Sequence, residues 1–515
     1  MPRPPKRTRE RPPGRTARAG LLRAALLAAL SVLLLAPSAA FGQPPASAGT
    51  GNATADVTAT DVRFTGADGV TLHGTVLAPG GTGGAPGPAL VMVPGAGPGG
   101  REELRPAAEA YARHGIVTLV YDKRTDGYSM THRDYSQLAD DALAALAALR
   151  ERPGVDRSRT GVWGLSEGAW VVSLAAGRSS DVAFVVTAGA VGLSPLRQQA
   201  WAYGGYLRHH GVHGSLLPAM QRTAARVVAG AGLFPEADYD PVPAWTGVRQ
   251  PVLAEWGTLD REAAPQESAA IIRDALDRGG NTHYTLRAVP GVRHNLNRTA
   301  DDGFDRPSDL PPDYADAESD WIHHLADGPP AISVDAMPPQ EYRSTALTPL
   351  AGYEGPWLQL AAVLVCGVGF AGYPLTALVR RLRPGGRADA PRTPSARPAR
   401  WLAGAGLTAL AGGPLYLLFM VVTAGALPGP VLLGRPLPWL LLQLAAVTAV
   451  VAATALAVRF AATLAVRRRR IRGAGGGPAA GASVPARAER VRLGLLAVAA
   501  VVFVPWALYW GLLIP

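Results

Sequence analysis

The sequence has almost no cysteine and almost no lysine, and both shortages narrow what the protein can be. Its one cysteine, Cys366, lies within an apolar stretch, so the chain can form neither an internal disulfide framework nor a thiolate metal site. Lysine occurs only at Lys6 and Lys123, a bias towards arginine that is typical of a bacterial genome rich in G and C. The phosphate-binding pattern Gly-x-x-x-x-Gly-Lys-Ser/Thr is also absent, which argues against a P-loop nucleotide site.

Charge is distributed unevenly along the 515 residues, although the net charge of the whole chain is +11. Residues 1–42 carry a net charge of +7, residues 43–356 carry −11 and residues 357–515 carry +15. The central region is therefore acidic, which argues against a nucleic-acid-binding surface there. The positive charge lies beside hydrophobic stretches, where it sets membrane orientation and favours anionic lipid.

The first 42 residues have the three parts of a secretory signal. A basic region precedes an apolar run from Leu21 to Ala36, and small residues suitable for cleavage follow at Ser38-Ala39-Ala40 or Ala40-Phe41-Gly42. An uncleaved anchor helix is the alternative, and both interpretations send the following residues across the membrane. Residues 43–58 are rich in Gly, Ala, Pro, Ser and Thr and are predicted to be a flexible lead-in.

Four long apolar stretches close the chain, and each has the roughly 20 residues needed to cross a bilayer, without a charged residue. They are about Trp357–Val379, Trp401–Leu427, Pro436–Val458 and Leu493–Ile514. The loop 380–400 holds seven arginines and the loop 467–492 holds eight, so the positive-inside rule predicts that both face the cytoplasm. The preceding domain and the C-terminus are then predicted to be extracytoplasmic. Because the stretches contain no ionisable residue, an anchor or packing module is favoured over a transporter.

The region 59–330 alternates β-rich runs with helical patterns, which predicts an α/β domain with a mostly parallel sheet. Residues 195–247 interrupt the alternation and are predicted to form a helical cap over the site. Residues 331–356 are predicted to be a linker to an all-α, four-helix transmembrane region at 357–515. The predicted strands are Asp61–Thr65, Thr71–Ala78, Ala89–Val93, Ile116–Tyr121, Thr160–Trp163, Val182–Thr187, Val252–Trp256 and Tyr284–Ala288. The predicted helices outside the cap are Glu102–Arg113, Gln137–Glu151, Glu167–Ala176, Ala264–Arg278 and Tyr314–Ala326.

The pattern Gly-x-Ser-x-Gly occurs at residues 164–168, between a predicted strand and a predicted helix. A serine on such a tight turn projects its hydroxyl from the edge of the sheet, and glycines allow the backbone to approach its neighbours. Ser166 is therefore the candidate nucleophile. The backbone N–H of Glu167, at the start of the helix, is a candidate donor to a developing oxyanion.

A glycine-rich loop, Pro94-Gly95-Ala96-Gly97-Pro98-Gly99-Gly100, follows another apolar strand. Such a loop can offer a second backbone N–H to an oxyanion, and the candidate is the amide of Ala96. Without a nucleophile nearby, an ordinary Gly/Pro turn would explain the loop equally well.

An acid and a base follow two further predicted strands. Asp260 comes after the strand Val252–Trp256, and His294 comes after Tyr284–Ala288. The carboxyl ends of parallel strands share one edge of the sheet, so both side chains are expected beside Ser166. Their order in the chain, Ser then Asp then His, is that of the α/β hydrolases.

With these motifs, residues from about 60 to 327 resemble the α/β-hydrolase superfamily, within the bacterial esterases and S9/S33 peptidase-like hydrolases. The run Tyr121-Asp122-Lys123-Arg124 is similar to the family's strand end before a Gly-x-Gly-x-Ser loop. Two departures affect the expectations. Pro94 stands where many members have His, which predicts an altered oxyanion loop. The run Thr125-Asp126-Gly127-Tyr128-Ser129 replaces the Gly-x-Gly-x-Ser loop, which predicts an altered substrate pocket.

The resemblance implies a triad mechanism in which Ser166 attacks an acyl carbonyl, His294 transfers the proton and Asp260 holds the imidazole. The expected partners are a small-molecule or peptide acyl substrate and the lipid bilayer, with no nucleic acid, cofactor or metal. An aminopeptidase, an acyltransferase and a non-catalytic membrane sensor or scaffold remain as alternatives to an esterase.

Two polar clusters and one side chain are weaker candidates. Histidines 209, 210 and 213 in the cap suggest a metal site, but without acidic or cysteine partners a polar surface is favoured. The acids between Asp301 and Asp320 suggest calcium, but they lack EF-hand spacing, so a solvated loop is favoured. The carboxylate of Glu167 is a candidate for disfavouring anionic substrates, if its side chain faces the pocket.

Overall fold

The structure is a computed structural model, and it describes residues 57–81, 85–129, 131–382, 395–473 and 487–515. The predicted signal at 1–42 and nearly all of the predicted lead-in lie outside the described residues. Two compact units are present. The first comprises Met1–Leu196, Val228–Ala300 and Pro307–Gln340, and the second comprises Arg197–Val227, Asp301–Arg306 and Glu341–Pro515.

The first unit is built on a nine-stranded sheet in the order β1-β2-β4-β3-β5-β6-β7-β8-β9. The pairs β1–β2 and β2–β4 are antiparallel, and the remaining pairs are parallel. All eight predicted strands are present, which confirms the mostly parallel α/β architecture. The strands are β1 (Val57–Thr65), β2 (Thr71–Pro79), β3 (Gly87–Val93), β4 (Val117–Tyr121), β5 (Val155–Leu165), β6 (Val185–Ala188), β7 (Val252–Gly257), β8 (Tyr284–Val289) and β9 (Ser333–Val334).

The central strands read as unbroken apolar runs because helices cover both faces of a parallel sheet. In β3, Leu90, Val91 and Met92 are completely buried. The helices of the first unit are α1 (Arg101–Arg113), α2 (Tyr135–Arg150), α3 (Glu167–Arg178), α5 (Val242–Gly247), α6 (Pro265–Gly279) and α7 (Asp316–His324), while α4 (Pro195–His209) lies almost wholly in the second unit.

The helix boundaries follow local chemistry. The carboxylate of Asp134 caps α2, accepting hydrogen bonds from the amides of Ser136 at 2.8 Å and Gln137 at 3.2 Å. Helix α6 begins with Pro265, and Gly280 caps its C-terminus directly after Gly279. The φ of Gly280 is 77°, the left-handed conformation that terminates many helices. These signals explain why the predicted ends of the two helices lie within two residues of the observed ones.

Among the residues of the second unit that the structure describes, four helices are long and apolar enough to cross a membrane. They are α8 (Pro356–Leu382), α9 (Ala396–Val422), α10 (Leu437–Gly473) and α11 (Arg487–Tyr509). Each contains one of the four predicted apolar stretches or most of it. Their common core includes Phe370, Trp439 and Phe503, all fully or almost fully buried. The arginine-rich connections at 383–394 and 474–486 lie outside the described residues.

The predicted cap at 195–247 is helical, but the structure divides it between the units. Residues 228–247 belong to the first unit, whereas Arg197–Val227 belongs to the second. The apolar side chains of Leu207, Leu216 and Met220 are buried in the same core as the four long helices. The apolar face of this segment is therefore covered within the second unit, and the placement of residues 195–247 as a cap over the site stays a prediction.

Polar contacts also join this segment to the long helices. The hydroxyl of Ser215 donates to the carbonyl of Gly511 at 2.7 Å and accepts from the Nε2 of Gln443 at 3.1 Å. The guanidinium of Arg226 forms a bidentate ion pair with the carboxylate of Glu354, with distances of 2.9 Å from Nη1 to Oε1 and 2.5 Å from Nη2 to Oε2. The predicted linker at 331–356 is thus divided as well, since Gln340 ends the first unit and Glu341 resumes the second.

A buried acid in α7 gives the first unit a pH-dependent stability. Both carboxyl oxygens of Glu318 are buried and have no hydrogen-bond partner among the described residues, and burial raises the pKa of this group to about 8. The neutral acid is therefore the form that the fold favours. Stability is fully present below the pKa of an unfolded glutamate, near 4.3, and declines as the pH rises through about 8.

We expect Glu318→Gln to remove this dependence. At pH 9 the variant should be more stable than the wild type by on the order of a few kcal/mol, because it no longer has to bury a charge. At pH 4 the two should unfold at nearly the same temperature, because the wild-type carboxyl is then largely neutral in both the folded and the unfolded state. Thermal unfolding of the full chain in detergent measures both, and an equal difference at the two pH values would contradict the prediction.

Candidate active site

Ser166 lies on a strained turn between β5 and α3. Its φ is 53° and its ψ is −110°, a conformation that a residue with a side chain rarely adopts and that surrounding contacts must enforce. The amide of Ser166 donates to the carbonyl of Ala188 at 3.0 Å, which ties the turn to the end of β6. The predicted strand-turn-helix context of the motif is therefore present.

The two glycines of the motif are required by close backbone approach. A Cβ on Gly164 would lie 2.5 Å from the carbonyl carbon of Gly168. A Cβ on Gly168 would collide with the carbonyl oxygen of Val93, the last residue of β3. These contacts bring the first turn of α3 against the start of the glycine-rich loop.

Asp260 and His294 form a buried acid–base pair. Asp260 follows β7 and His294 follows β8, and the Oδ2 of Asp260 lies 2.9 Å from the Nδ1 of His294. The other oxygen of Asp260 accepts from the amides of Glu262 at 2.7 Å and Ala263 at 2.9 Å. Both side chains are at most 8% exposed, so the carboxylate and imidazole are held in one arrangement.

The pair shifts the protonation of both partners. Burial alone lowers the pKa of His294, but the charge and hydrogen bond of Asp260 outweigh it, so the pKa of His294 is raised. Burial would raise the pKa of Asp260, but the imidazole and the two amides keep it below its usual value. Asp260 is therefore an anion that stabilises a protonated His294.

The end of β6 brings the serine turn and the histidine to the same place. Gly189 has a φ of +58°, and a Cβ on it would lie only 2.6 Å from the Nδ1 of His294. The preceding residue, Ala188, accepts the hydrogen bond from Ser166. Among the described residues the hydrogen bonds join Asp260 to His294, and none joins the Ser166 hydroxyl to the imidazole. The complete triad therefore stays a prediction.

The two predicted oxyanion donors lie on adjacent segments. Glu167 is the first residue of α3, so its amide has no partner within the helix. In the glycine-rich loop, a Cβ on Gly95 would lie 3.6 Å from the carbonyl oxygen of Leu165, which places the loop against the serine turn. The amide of Gly97 is occupied by the hydroxyl of Tyr128 at 3.0 Å, whereas the Ala96 amide has no acceptor among the described residues.

The carboxylate of Glu167 is buried in ion pairs. One oxygen lies 2.8 Å from the Nζ of Lys123 and 2.8 Å from the hydroxyl of Tyr128, and the other lies 2.5 Å from Arg133. The side chain is only 1% exposed. The suggestion that this carboxylate disfavours anionic substrates depended on its facing the pocket, and its charge is instead taken up by two buried cations.

Sequence reasoning did not assign a role to Lys123, Tyr128 or Arg133. The segment Thr125–Ser129 was expected to alter the substrate pocket, whereas its Tyr128 binds the glycine-rich loop. One signal in the sequence could have drawn attention to Lys123. It is one of only two lysines in the chain, and it follows a buried strand.

The histidine cluster and the first residue of the acidic cluster are in contact within the second unit. His209 lies 2.9 Å from the carboxylate of Asp301 and stacks on Phe304, with ring centroids 3.9 Å apart. Within the described ranges, no three or more His, Cys, Asp or Glu side chains are grouped so that they could hold a metal ion.

The sheet order, the serine turn and the acid–base pair decide the fold of the first unit. It is an α/β-hydrolase fold. Residues 111–326 match the model of the prolyl oligopeptidase family, peptidase family S9. The expected resemblance to α/β hydrolases is thereby confirmed, and with it an enzyme fold joined to four apolar helices.

Known proteins similar to this α/β-hydrolase region include two fungal enzymes. The polyketide transferase grgF of Penicillium sp. is 33% identical over 130 residues, or 24% of this chain and 43% of that protein. The thiohydrolase aneE of Aspergillus aculeatus is 33% identical over 113 residues, or 21% of this chain and 34% of that protein. The chain thus spans less than half the length of these curated relatives.

Among solved structures, the α/β hydrolase GrgF from Penicillium sp. sh18 is similar with a TM-score of 0.33 and 21% identity, covering 46% of this chain and 91% of that one. The DcsB complex with its substrate analogue is similar with a TM-score of 0.38 and 21% identity, covering 53% and 100%.

Because backbone atoms approach Gly168 closely, we expect the folding stability to be sensitive to a methyl group added at this position. Gly168→Ala should cost about 2 kcal/mol or more of folding free energy, because backbone rather than a flexible side chain occupies the space. Gly177→Ala, in the same helix, is the matched control, since its Cβ would lie 3.7 Å from the nearest atom. Thermal unfolding of the full chain measures both, and equal melting temperatures would contradict the prediction.

Proposed function

We propose that the first unit is a serine hydrolase that cleaves carboxylic esters through Ser166, His294 and Asp260, by way of an acyl-enzyme. The observation that carries the proposal is the 2.9 Å hydrogen bond between Asp260 and His294, buried beside the segment that also binds the amide of Ser166. A carboxylate, an imidazole and a hydroxyl in this order are the components of nucleophilic acyl transfer.

In the proposed reaction the hydroxyl oxygen of Ser166 bonds to the acyl carbon, and its proton passes to the Nε2 of His294. The resulting imidazolium is stabilised by the anionic Asp260, whose bond to Nδ1 also holds the correct tautomer. Collapse of the tetrahedral intermediate expels the alcohol, which takes the proton from His294. Water then attacks the acyl-enzyme by the same route and restores the serine.

The negative charge of the tetrahedral intermediate requires donors that are already in place. The amide of Glu167, at the N-terminus of α3, and the amide of Ala96 are proposed to supply them. The helix dipole adds a favourable partial positive charge at the same end.

A second candidate is transfer of the acyl group to an acceptor other than water, or its release from a thioester. The names of two relatives, a polyketide transferase and a thiohydrolase, favour it, because the proposed acyl-enzyme is an intermediate from which either reaction can proceed. Peptide cleavage, for example by an aminopeptidase, is favoured by the match to the prolyl oligopeptidase family. The three candidates differ in the leaving group and acceptor rather than in the nucleophile.

We further propose that the hydrolase region faces the extracytoplasmic side of the cell membrane. Four helices of sufficient length and apolarity support a membrane location. The orientation rests on the signal-like residues 1–42 and on the arginines of the loops 380–400 and 467–492. The positive loops would then lie against the anionic inner leaflet.

Covalent labelling tests the nucleophile and the sidedness together. A membrane-impermeant fluorophosphonate should label the wild-type protein on intact cells, and Ser166→Ala should abolish the labelling because it removes the hydroxyl that forms the covalent bond. The labelled protein should hydrolyse p-nitrophenyl acetate. Absence of labelling in folded protein from lysed cells would overturn the enzyme proposal. Labelling only after lysis would overturn the proposed orientation alone.

The raised pKa of His294 predicts the pH dependence of the reaction. Only the neutral imidazole accepts the serine proton, so kcat/KM should rise with pH through an inflection above the value of about 6.5 for an ordinary histidine.

Asp260→Asn is the corresponding variant. It should move the inflection to lower pH, since the raising charge is lost, and should reduce kcat by about 10⁴-fold through the wrong tautomer. The rate of p-nitrophenyl acetate hydrolysis as a function of pH, with the spontaneous rate subtracted, measures both effects. An inflection that does not move in the variant would show that His294 is not the titrating base.

A further inference from the structure

A buried cluster of charges lies beneath the glycine-rich loop. It consists of Lys123, Tyr128, Arg133 and Glu167, and the side chains of Lys123 and Glu167 are 3% and 1% exposed. Removing charges from water is costly, and a buried ion pair often stabilises a fold no better than apolar side chains of the same volume would. The position of the cluster therefore calls for an explanation beyond stability.

Lys123 binds the backbone of the glycine-rich loop directly. Its ammonium group donates to the carbonyl oxygen of Gly95, and a longer contact of 3.4 Å reaches the carbonyl of Gly97. The carbonyl of Gly95 and the N–H of Ala96 belong to one peptide plane. In a trans peptide these two groups point in opposite directions, so an anchor on the carbonyl fixes where the N–H points.

Tyr128 fixes the next peptide of the loop. Its hydroxyl accepts from the amide of Gly97 at 3.0 Å and from Lys123 at 3.1 Å, and it donates to Glu167 at 2.8 Å. Gly97 has a φ of +114°, which only glycine adopts without strain. Two successive peptides are thus held by one cluster, and the N–H of the first, that of Ala96, has no acceptor among the described residues.

We propose that Lys123, held in place by Glu167, Tyr128 and Arg133, is a positioning residue that orients the Gly95–Ala96 peptide for oxyanion binding. The inference rests on the proposed function, because it assigns a role to the proposed donor Ala96. The charged hydrogen bond to Gly95 also polarises this peptide and makes its N–H a stronger donor. The residue after the nucleophile therefore serves the oxyanion site twice: its amide is one donor, and its carboxylate secures the lysine that positions the other.

The test variant is Lys123→Met, which keeps the apolar stem and removes the ammonium group. In the full chain in detergent, kcat for p-nitrophenyl acetate should fall by roughly 10- to 10³-fold, on the scale of losing one oxyanion donor. KM should change less than about threefold, since the substrate carbonyl is bound weakly before the oxyanion forms. Affinity for a trifluoromethyl ketone, which adds to the serine as a tetrahedral oxyanion, should fall in parallel with kcat.

Arg124→Met is the matched control. Arg124 forms a neighbouring buried ion pair with Asp141, at 2.7 Å, and also binds the carbonyl of Ala67, but it makes no described hydrogen bond to the glycine-rich loop. This variant should lose stability comparably and keep its kcat and its affinity for the ketone. If Lys123→Met behaves in the same way, the cluster is only structural and the inference is overturned.

One further variant keeps the test decisive if Lys123→Met does not fold. Tyr128→Phe removes the acceptor for the amide of Gly97 and should show the same split between kcat and KM. A Tyr128→Phe protein that keeps the wild-type kcat and affinity for the ketone would overturn the inference. Failure of the wild type to be labelled at Ser166 would instead overturn the proposed function itself.

Discussion

The approach of Gly168 to the carbonyl of Val93 is the constraint on which the candidate site depends. Because no side chain stands between them, the first turn of α3 rests on the end of β3. That contact places Ser166 beside the glycine-rich loop and directs the carboxylate of Glu167 beneath the same loop. Proximity of backbone, rather than any single hydrogen bond, thus brings Ser166, the proposed nucleophile, and the buried charges close together.

The electrostatics of the site separate into two buried systems. In one, Asp260 holds a histidine whose protonated form it stabilises. In the other, Glu167 compensates the charge of Lys123 and Arg133 beneath the loop. Each carboxylate is paired with cations or potential cations and bound by further donors, as buried charges require. The two acids are similar in burial but serve different partners, so their chemistry follows from position rather than from residue type.

The parts of the fold with a periodic signal could be predicted from the sequence. All eight strands of the antiparallel edge and parallel centre were found, as were Ser166, Asp260 and His294 at the ends of their strands. The strand β9 was missed because Ser333–Val334 is two exposed residues long and carries no pattern. The contacts of Lys123 were also missed, since a side chain bonding to the carbonyl of Gly95 leaves no trace in hydrophobic periodicity. The assignment of residues 197–227 to the second unit was also missed, because an amphipathic helix shows that it has a partner but not which one.

That segment has a consequence for biosynthesis. Leu207, Leu216 and Met220 emerge from the ribosome well over a hundred residues before the helices that bury them. Strands β7, β8 and β9, which complete the sheet, are also made after this segment and before the first of those helices. The nascent chain must therefore expose an apolar surface while its sheet is being completed, and it buries that surface only after the four long helices have been made.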